Sequence, residues 1–403
     1  MKAMVYRLLI VGLVIGLLVA ACAPKPAPAP APAPTPAPKR AIKIGLLHAL
    51  TGPLAGLGAF YNGGAEVAFE GVGYQVAGRK IEVIKEDTEG KPDVGLTKVR
   101  KLVERDKVDI IIGPISSAVA LAIGDYVAQS NVTLIISQAT VEALTREKGA
   151  PNIFRVAPTD PQTHWGMPKY IYDKLGYKKL IVVALDYVAG QNHVKAFEKG
   201  YTEAGGTLVE KVFIPLGTAD PAPFITKVLA RAKDADAVHA ILWGADAARF
   251  AKQQAAFGLR EKIPLLGFGS FTSDGLILPV AGKEIEGLTN YYDYAAGWDN
   301  PVNKRFVEAF FKKMGKNPSS HASLGHAAAV AAIEALKAIE GNIEDRQAFL
   351  RALKKVDVLT PRGRLRFDDK NQAIITRFIR KVEPVGDTLM NVPTEIIEDV
   401  RAP

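Results

Sequence analysis

From residue 41 onward, short apolar runs alternate with stretches of helical period, and this alternation constrains the fold more than any other feature. Residues 41–49 (AIKIGLLHA) are apolar without a helical period. A helical stretch over 58–70 follows, with Ala65 and Phe69 supplying apolar contacts. Residues 80–86 alternate as a strand. A helix over 94–107 follows Pro92-Asp93 and places Leu96, Val99 and Val103 on one stripe. The runs 109–113 (DIIIG) and 133–137 (TLIIS) read as buried strands, with a helix over 117–130 between them. Residues 71–78 form a loop punctuated by glycines. Strands that alternate with helices call for a parallel sheet covered on both faces.

A second series begins after Phe154-Arg155-Val156. Helices over 163–175, 191–204, 224–232 and 247–257 alternate with strands over 179–185, 208–214, 237–243 and 263–268. The stretch from 290 to about 366 is mostly helical, over 301–314, 321–339 and 343–354. Strand-like runs at 363–367 and 374–382 close the pattern. The chain has 403 residues, too many for one ordinary core, so two domains are expected. In open α/β sheets ligands collect at the carboxyl ends of strands, where helix N-termini offer free N–H groups. The cleft between two such units is the expected site.

The residue inventory removes several function classes. Cys22 is the only cysteine, which excludes an intramolecular disulfide and a cysteine-rich metal site. The six histidines form no HExxH pattern, and His321 and His326 are five apart, so no metal centre is expected. No cofactor motif is present. Gly56-Leu57-Gly58 does not extend to GxGxxG. The formal charge is +9, without a dense basic cluster, so nucleic acid is not an expected partner.

The N-terminus carries a separate message. Lys2 and Arg7 precede a 14-residue apolar run over 8–21. That is shorter than the ~20 residues a spanning helix needs, and it fits a signal peptide over 1–21. The segment Leu18-Val19-Ala20-Ala21-Cys22 resembles the bacterial lipoprotein signal, which implies a lipid on Cys22 and a membrane-tethered, extracytoplasmic body. Residues 23–38 alternate Ala and Pro, which favours an extended polyproline II stalk over 22–40.

The body is similar to the type I extracytoplasmic solute-binding proteins of ABC importers, in the branch that binds branched-chain amino acids and aromatic or other small carboxylates. The likeness runs over about residues 41–390. It is carried by Ile42-Lys43-Ile44-Gly45 with Leu50-Thr51-Gly52-Pro53, by Glu86-Asp87 ahead of Lys91-Pro92, and by Ile112-Gly113-Pro114 with Ser116-Ser117. Ala139-Thr140, Asp186-Tyr187 with Gly190, Ala204-Gly205-Gly206, Phe257-Gly258-Leu259 and Ile285-Glu286-Gly287 continue it in order. The resemblance implies two Rossmann-like α/β lobes with parallel sheets, joined by a three-strand hinge. One lobe would hold 41–160 and 292–366, and the other 161–291 and 367–403. It also implies a monomer that captures a small carboxylate, closes, and delivers it to permease and ATPase subunits.

Residues 113–117 end a strand and begin a helix at Ser116 or Ser117, an arrangement suited to a carboxylate. By family position Ser117 contacts the solute carboxylate and Thr140 is the second anchor, with Gln138 close by. Family members that bind amino acids pair the solute ammonium with an acid on the second lobe. The matching stretch here, 267–271 (GFGSF), has none. Aromatics that relatives carry near Leu57 and Ala189 are also absent. Trp243 offers a ring. Asp246 either replaces the missing ammonium partner or caps the helix that follows. In the first case the solute is an apolar amino acid. In the second it is an amine-free acid lined by Phe60, Trp243, Phe268 or Phe271, because a buried ammonium without a partner is costly. Ser270 serves either case. Two other classes stay open at this stage. A sensing receptor of the same fold would need a signalling partner. A serine hydrolase would need His48 to pair with Ser116 or Ser117, without a GxSxG elbow.

Overall fold

The computed structural model describes residues 40–147 and 149–402. The signal segment, Cys22 and the Ala/Pro stretch lie outside the described residues. No described helix is long and apolar enough to cross a membrane.

Among the described residues, six strands form the first sheet: β1 (Ile42–His48), β2 (Gln75–Val76), β3 (Arg79–Asp87), β4 (Ile110–Ile112), β5 (Thr133–Ile136) and β6 (Ile153–Arg155). Their spatial order is β2-β3-β1-β4-β5-β6. All pair in parallel except the β2–β3 hairpin, which occupies the region read as a loop. Alternation along each strand feeds two cores. Ile42, Ile44, Leu46, Ile110, Ile112 and Ile135 join one apolar cluster. Leu47, Ile111, Leu134 and Ile136 join another on the opposite face. With both faces buried, these strands read as continuous apolar runs rather than as polar–apolar repeats.

The longer helices are α1 (Ala55–Gly71), α2 (Pro92–Arg100), α3 (Ser117–Ala128), α4 (Val188–Glu203), α5 (Ala222–Arg231), α6 (Gly244–Ala256), α7 (Pro301–Met314), α8 (Ser320–Ala338) and α9 (Arg346–Lys354). Helices α1 and α8 cross at backbone contact. A Cβ at Gly64 would lie 1.9 Å from the Ala322 carbonyl oxygen, and one at Gly325 would lie 2.1 Å from that of Tyr61. Only glycine permits this approach. The helix expected over 163–175 is broken into Asp160–His164 and Met167–Asp173. Gly166, at φ +77°, separates the two pieces, and Pro168 sits in the first turn of the second.

The second sheet contains β7 (Lys179–Asp186), β8 (Thr207–Pro215), β9 (Ala237–Ile241), β10 (Leu265–Phe268), β11 (Thr289–Tyr292), β12 (Asp357–Thr360), β13 (Gly363–Phe367), β14 (Ala373–Val385) and β15 (Thr388–Val400). Its order is β12-β13-β14-β11-β10-β9-β7-β8, with β15 on β14. Strands β7 to β11 run parallel, whereas the pairings of β12 to β15 are antiparallel. The sheet is therefore mixed, which corrects the expectation of parallel sheets alone. The physical cause is the long β14–β15 hairpin, closed by the two residues Gly386-Asp387. Apolar alternation fades at Glu383-Pro384, so pattern alone stops the strand too early.

Val156 follows β6 and Asp293 follows β11, where the chain passes out of each sheet. Arg362, in the turn between β12 and β13, ties these places together. Its guanidinium donates to the Val156 carbonyl at 2.9 Å and forms a buried ion pair with Asp293.

Candidate functional site

Strand β4 ends at Ile112, and the chain turns through Gly113-Pro114 into α3. A Cβ at Gly113 would lie 2.1 Å from the Leu47 carbonyl oxygen, so the turn requires glycine. Ser116 is the N-cap of α3, and its hydroxyl accepts from the Val119 N–H at 3.4 Å. Ser117 is the first helical residue. It is buried, and its hydroxyl has no hydrogen-bond partner among the described residues. The same holds for the Thr140 hydroxyl beyond β5. These two groups and the free N–H groups at the start of α3 offer polarity complementary to an anion.

Both hydroxyl residues line one small cavity. The lining also includes the expected Leu57, Gln138, Ala189, Trp243 and Ser270, and with them Phe268. Residues missed in the sequence complete it: Tyr61, Ile115, Tyr187, His193 and His321. Two of these were within reach of a spacing argument. Tyr61 is four residues after Leu57 on α1, and His193 is four after Ala189 on α4, so each pair shares a helix face. Ile115 lies within the 113–117 turn and Tyr187 in the Asp186-Tyr187 segment, whereas no such signal pointed to His321.

Four expected contacts do not line the cavity. The Ser116 hydroxyl is occupied as a cap. Phe60 packs against Phe310, with ring centroids 5.3 Å apart. Phe271 packs against Phe250 at 6.0 Å. Asp246 is not the cap of α6 and does not line the cavity. Trp243 holds the N-cap position of α6. Asp246, within the first turn, accepts from the Gly217 N–H at 3.0 Å and from Arg249 at 2.6 Å. His48 bonds to Ser137 at 2.9 Å and Asn62 at 2.7 Å rather than to Ser116 or Ser117. The serine-hydrolase pairing is therefore not formed.

The rest of the wall is held by hydrogen bonds and ring contacts. Gln138 accepts from the Tyr61 hydroxyl at 2.6 Å. Trp243 donates to the Tyr187 hydroxyl at 3.1 Å, with the rings edge-on. Ser270 donates to the Tyr292 hydroxyl at 3.3 Å and lies 3.4 Å from His321 Nε2. No carboxylate belongs to the lining among the described residues. At Gly269 a Cβ would lie 2.2 Å from the Tyr292 ring. An acidic side chain there would displace that tyrosine, so position 269 has no room for one. No group of His, Cys, Asp and Glu among the described residues is placed to hold a metal ion.

All six histidines are buried or held against the core, and burial lowers the pKa of every one. His48 and His326 fall to about 4, and His239 and His321 to about 3. His164 and His193 are also lowered, chiefly by burial. At neutral pH the cavity therefore presents uncharged imidazoles. The consequence for stability has a definite sign. Between pH 6.5 and about 4 the unfolded chain takes up protons that the folded chain refuses. Stability present above pH 6.5 is lost as pH falls, by up to about 1.4 kcal/mol per pH unit for each such histidine. Urea midpoints measured from pH 7.5 down to 4.5 should decline steadily below pH 6.5. A flat profile would contradict the buried, neutral assignment.

A family model described as periplasmic binding protein matches residues 41–383. Leu/Ile/Val-binding protein homolog 6 of Brucella melitensis is 28% identical over 352 residues, covering 86% of this chain and 88% of the relative. An ABC transporter substrate-binding protein from Sphaerobacter thermophilus superposes with a TM-score of 0.83 at 35% identity, over 90% of this chain and 99% of that one. The solute-binding protein of an ABC transporter from Rhodopseudomonas palustris BisB5, in complex with 3,4-dihydroxy benzoic acid, has a TM-score of 0.84 at 29% identity. It too is covered to 99%, by 90% of this chain.

Proposed function

Since this chain belongs to the periplasmic binding protein family, we propose that it captures an aromatic carboxylate without an amine for an ABC importer. The protein is extracytoplasmic and acts as a solute-binding subunit, not as an enzyme. It closes residues 41–160 and 292–366 against 161–291 and 367–403, as a monomer held to the membrane by a lipid on Cys22. The observation that carries the choice of solute is the lining, which combines aromatic walls with no carboxylate. An amino acid would bury its ammonium beside neutral rings, which is costly. An aromatic acid would place its carboxylate at Ser117 and Thr140 and its ring among Tyr61, Trp243 and Phe268. Apolar burial would supply the remaining affinity.

The test is a thermal-shift and calorimetry panel on protein freed of ligand by unfolding and refolding. Benzoate and its derivatives are compared with leucine, isoleucine and phenylalanine. A ligand that binds only the native state stabilises it by about 2.7 kcal/mol at a hundredfold excess over Kd. Benzoate-class acids should raise the melting temperature and the amino acids should not. The reverse pattern would restore the amino-acid branch and require an ammonium partner outside the present lining.

A further inference from the structure

Behind the cavity wall lies a chain of four buried rings that the reading above does not use. His193 Nδ1 is 3.0 Å from His164 Nε2. His164 Nδ1 is 2.5 Å from the Tyr291 hydroxyl, which is 3.1 Å from His239 Nε2. Each of the three hydrogen bonds holds one proton, so the whole chain points one way or the other. Its direction decides what His193 offers the solute. His193 lines the cavity, and its Nε2 has no hydrogen-bond partner among the described residues.

The near end sets the direction. The Asp160 carboxylate lies 3.5 Å from His193 Nδ1. Asp160 is buried, and its Oδ1 has no hydrogen bond among the described residues. A lone pair on Nδ1 would face that negative charge in a poorly screened interior, whereas an N–H would be attracted to it. The proton therefore belongs on Nδ1. His193 then donates to His164, His164 to the Tyr291 oxygen, and the Tyr291 hydroxyl to His239. At the far end His239 Nδ1 has no hydrogen-bond partner among the described residues, so either direction leaves that nitrogen unpaired and the near end decides.

We propose that the Asp160–His193–His164–Tyr291–His239 chain holds a lone pair on His193 Nε2 toward the cavity, so that the site reads a hydroxyl on the aromatic acid. This deepens the function proposed above and rests on it. A carboxylate is repelled by a lone pair, so the acid group stays at Ser117 and Thr140 and a phenolic donor meets His193. A buried acceptor left without a donor is penalised, which sets a preference for hydroxylated rings over benzoate.

Calorimetry on the full mature protein, titrated with benzoate and with 2-, 3- and 4-hydroxybenzoate, tests this. At least one hydroxylated isomer should bind about tenfold tighter than benzoate, the size of one net hydrogen bond. His193→Phe should erase that gain, read as the ratio of hydroxybenzoate to benzoate affinity within the variant itself. The nitrogen-15 shift of His193 Nε2 in the unsubstituted, ligand-free protein gives a readout that needs no variant. It should report a nitrogen without a proton, and a protonated Nε2 would overturn the proposal. Benzoate binding with no gain from any hydroxyl would overturn it too and leave the proposed function standing. A gain that survives His193→Phe but disappears in Ser270→Ala would assign the hydroxyl to Ser270 instead. Binding of leucine with no aromatic acid bound would remove both readings.

Discussion

Ser117→Ala should weaken binding of the aromatic acid by about ten- to a hundredfold, while the ligand-free protein keeps its stability to within about 0.5 kcal/mol. The affinity loss follows from a hydrogen bond to a charged group, worth about 1.5–3 kcal/mol. The small stability change follows from the free protein. The Ser117 hydroxyl bonds to no described residue, so its removal breaks no native hydrogen bond, and alanine suits the first turn of a helix. Ser116→Ala is the matched control, one residue away. That hydroxyl accepts from the Val119 N–H, and loss of an N-cap costs about 0.5–2 kcal/mol. The control should therefore lose stability and keep most of its affinity. Calorimetry and urea denaturation on both variants separate the roles. If Ser117→Ala binds as tightly as the unsubstituted protein, the carboxylate does not sit at the start of α3.

Asp293→Ala should destabilise the protein by about 3–5 kcal/mol, because it strands a cation that has no access to water. Asp293 is fully buried and Arg362 is only 5% exposed. Arg362 also holds the Val156 carbonyl, so the loss falls where the chain passes out of β6 and β11. Arg364 and Asp357 offer a comparison on the adjacent strands. Their side chains are 63% and 42% exposed, and breaking an exposed pair costs about 0–1 kcal/mol. Replacing both Asp293 and Arg362 by apolar residues of similar volume should recover much of the deficit, since a buried pair repays little of its own desolvation. A single-variant loss no larger than that of Asp357→Ala would mean that water reaches the clasp.

Much of this molecule is legible locally. Strands β1, β4 and β5 are short branched runs buried on both faces, so composition and length reveal them. The start of α3 is legible because serines at a strand-to-helix turn have a limited set of uses. Eight of the expected site residues line the cavity because they lie on strand ends and first turns, where open α/β sheets gather their ligands. Asp246 shows the limit of this reasoning. A carboxylate in a first helical turn suits a cap, a charge partner or a backbone acceptor equally well. Here the nearby Gly217 N–H and Arg249 took it. Phe60 and Phe271 failed for a related reason, since each ring packs on another phenylalanine instead of on the cavity.

The amino-acid sequence by itself determined the alternation of strands and helices, the two-lobe architecture and the serine-bearing strand-to-helix turn at 113–117. Each of these depends on side-chain period and capping within a few residues. Tertiary structure alone decided the antiparallel end of the second sheet and the full wall of the cavity. It also decided the partner of Asp246, the overlap of position 269 with Tyr292, and the ring chain behind His193. Those features depend on distances between segments tens to hundreds of residues apart. Such distances are set by how whole layers pack, and that information is not carried by any local window of the chain.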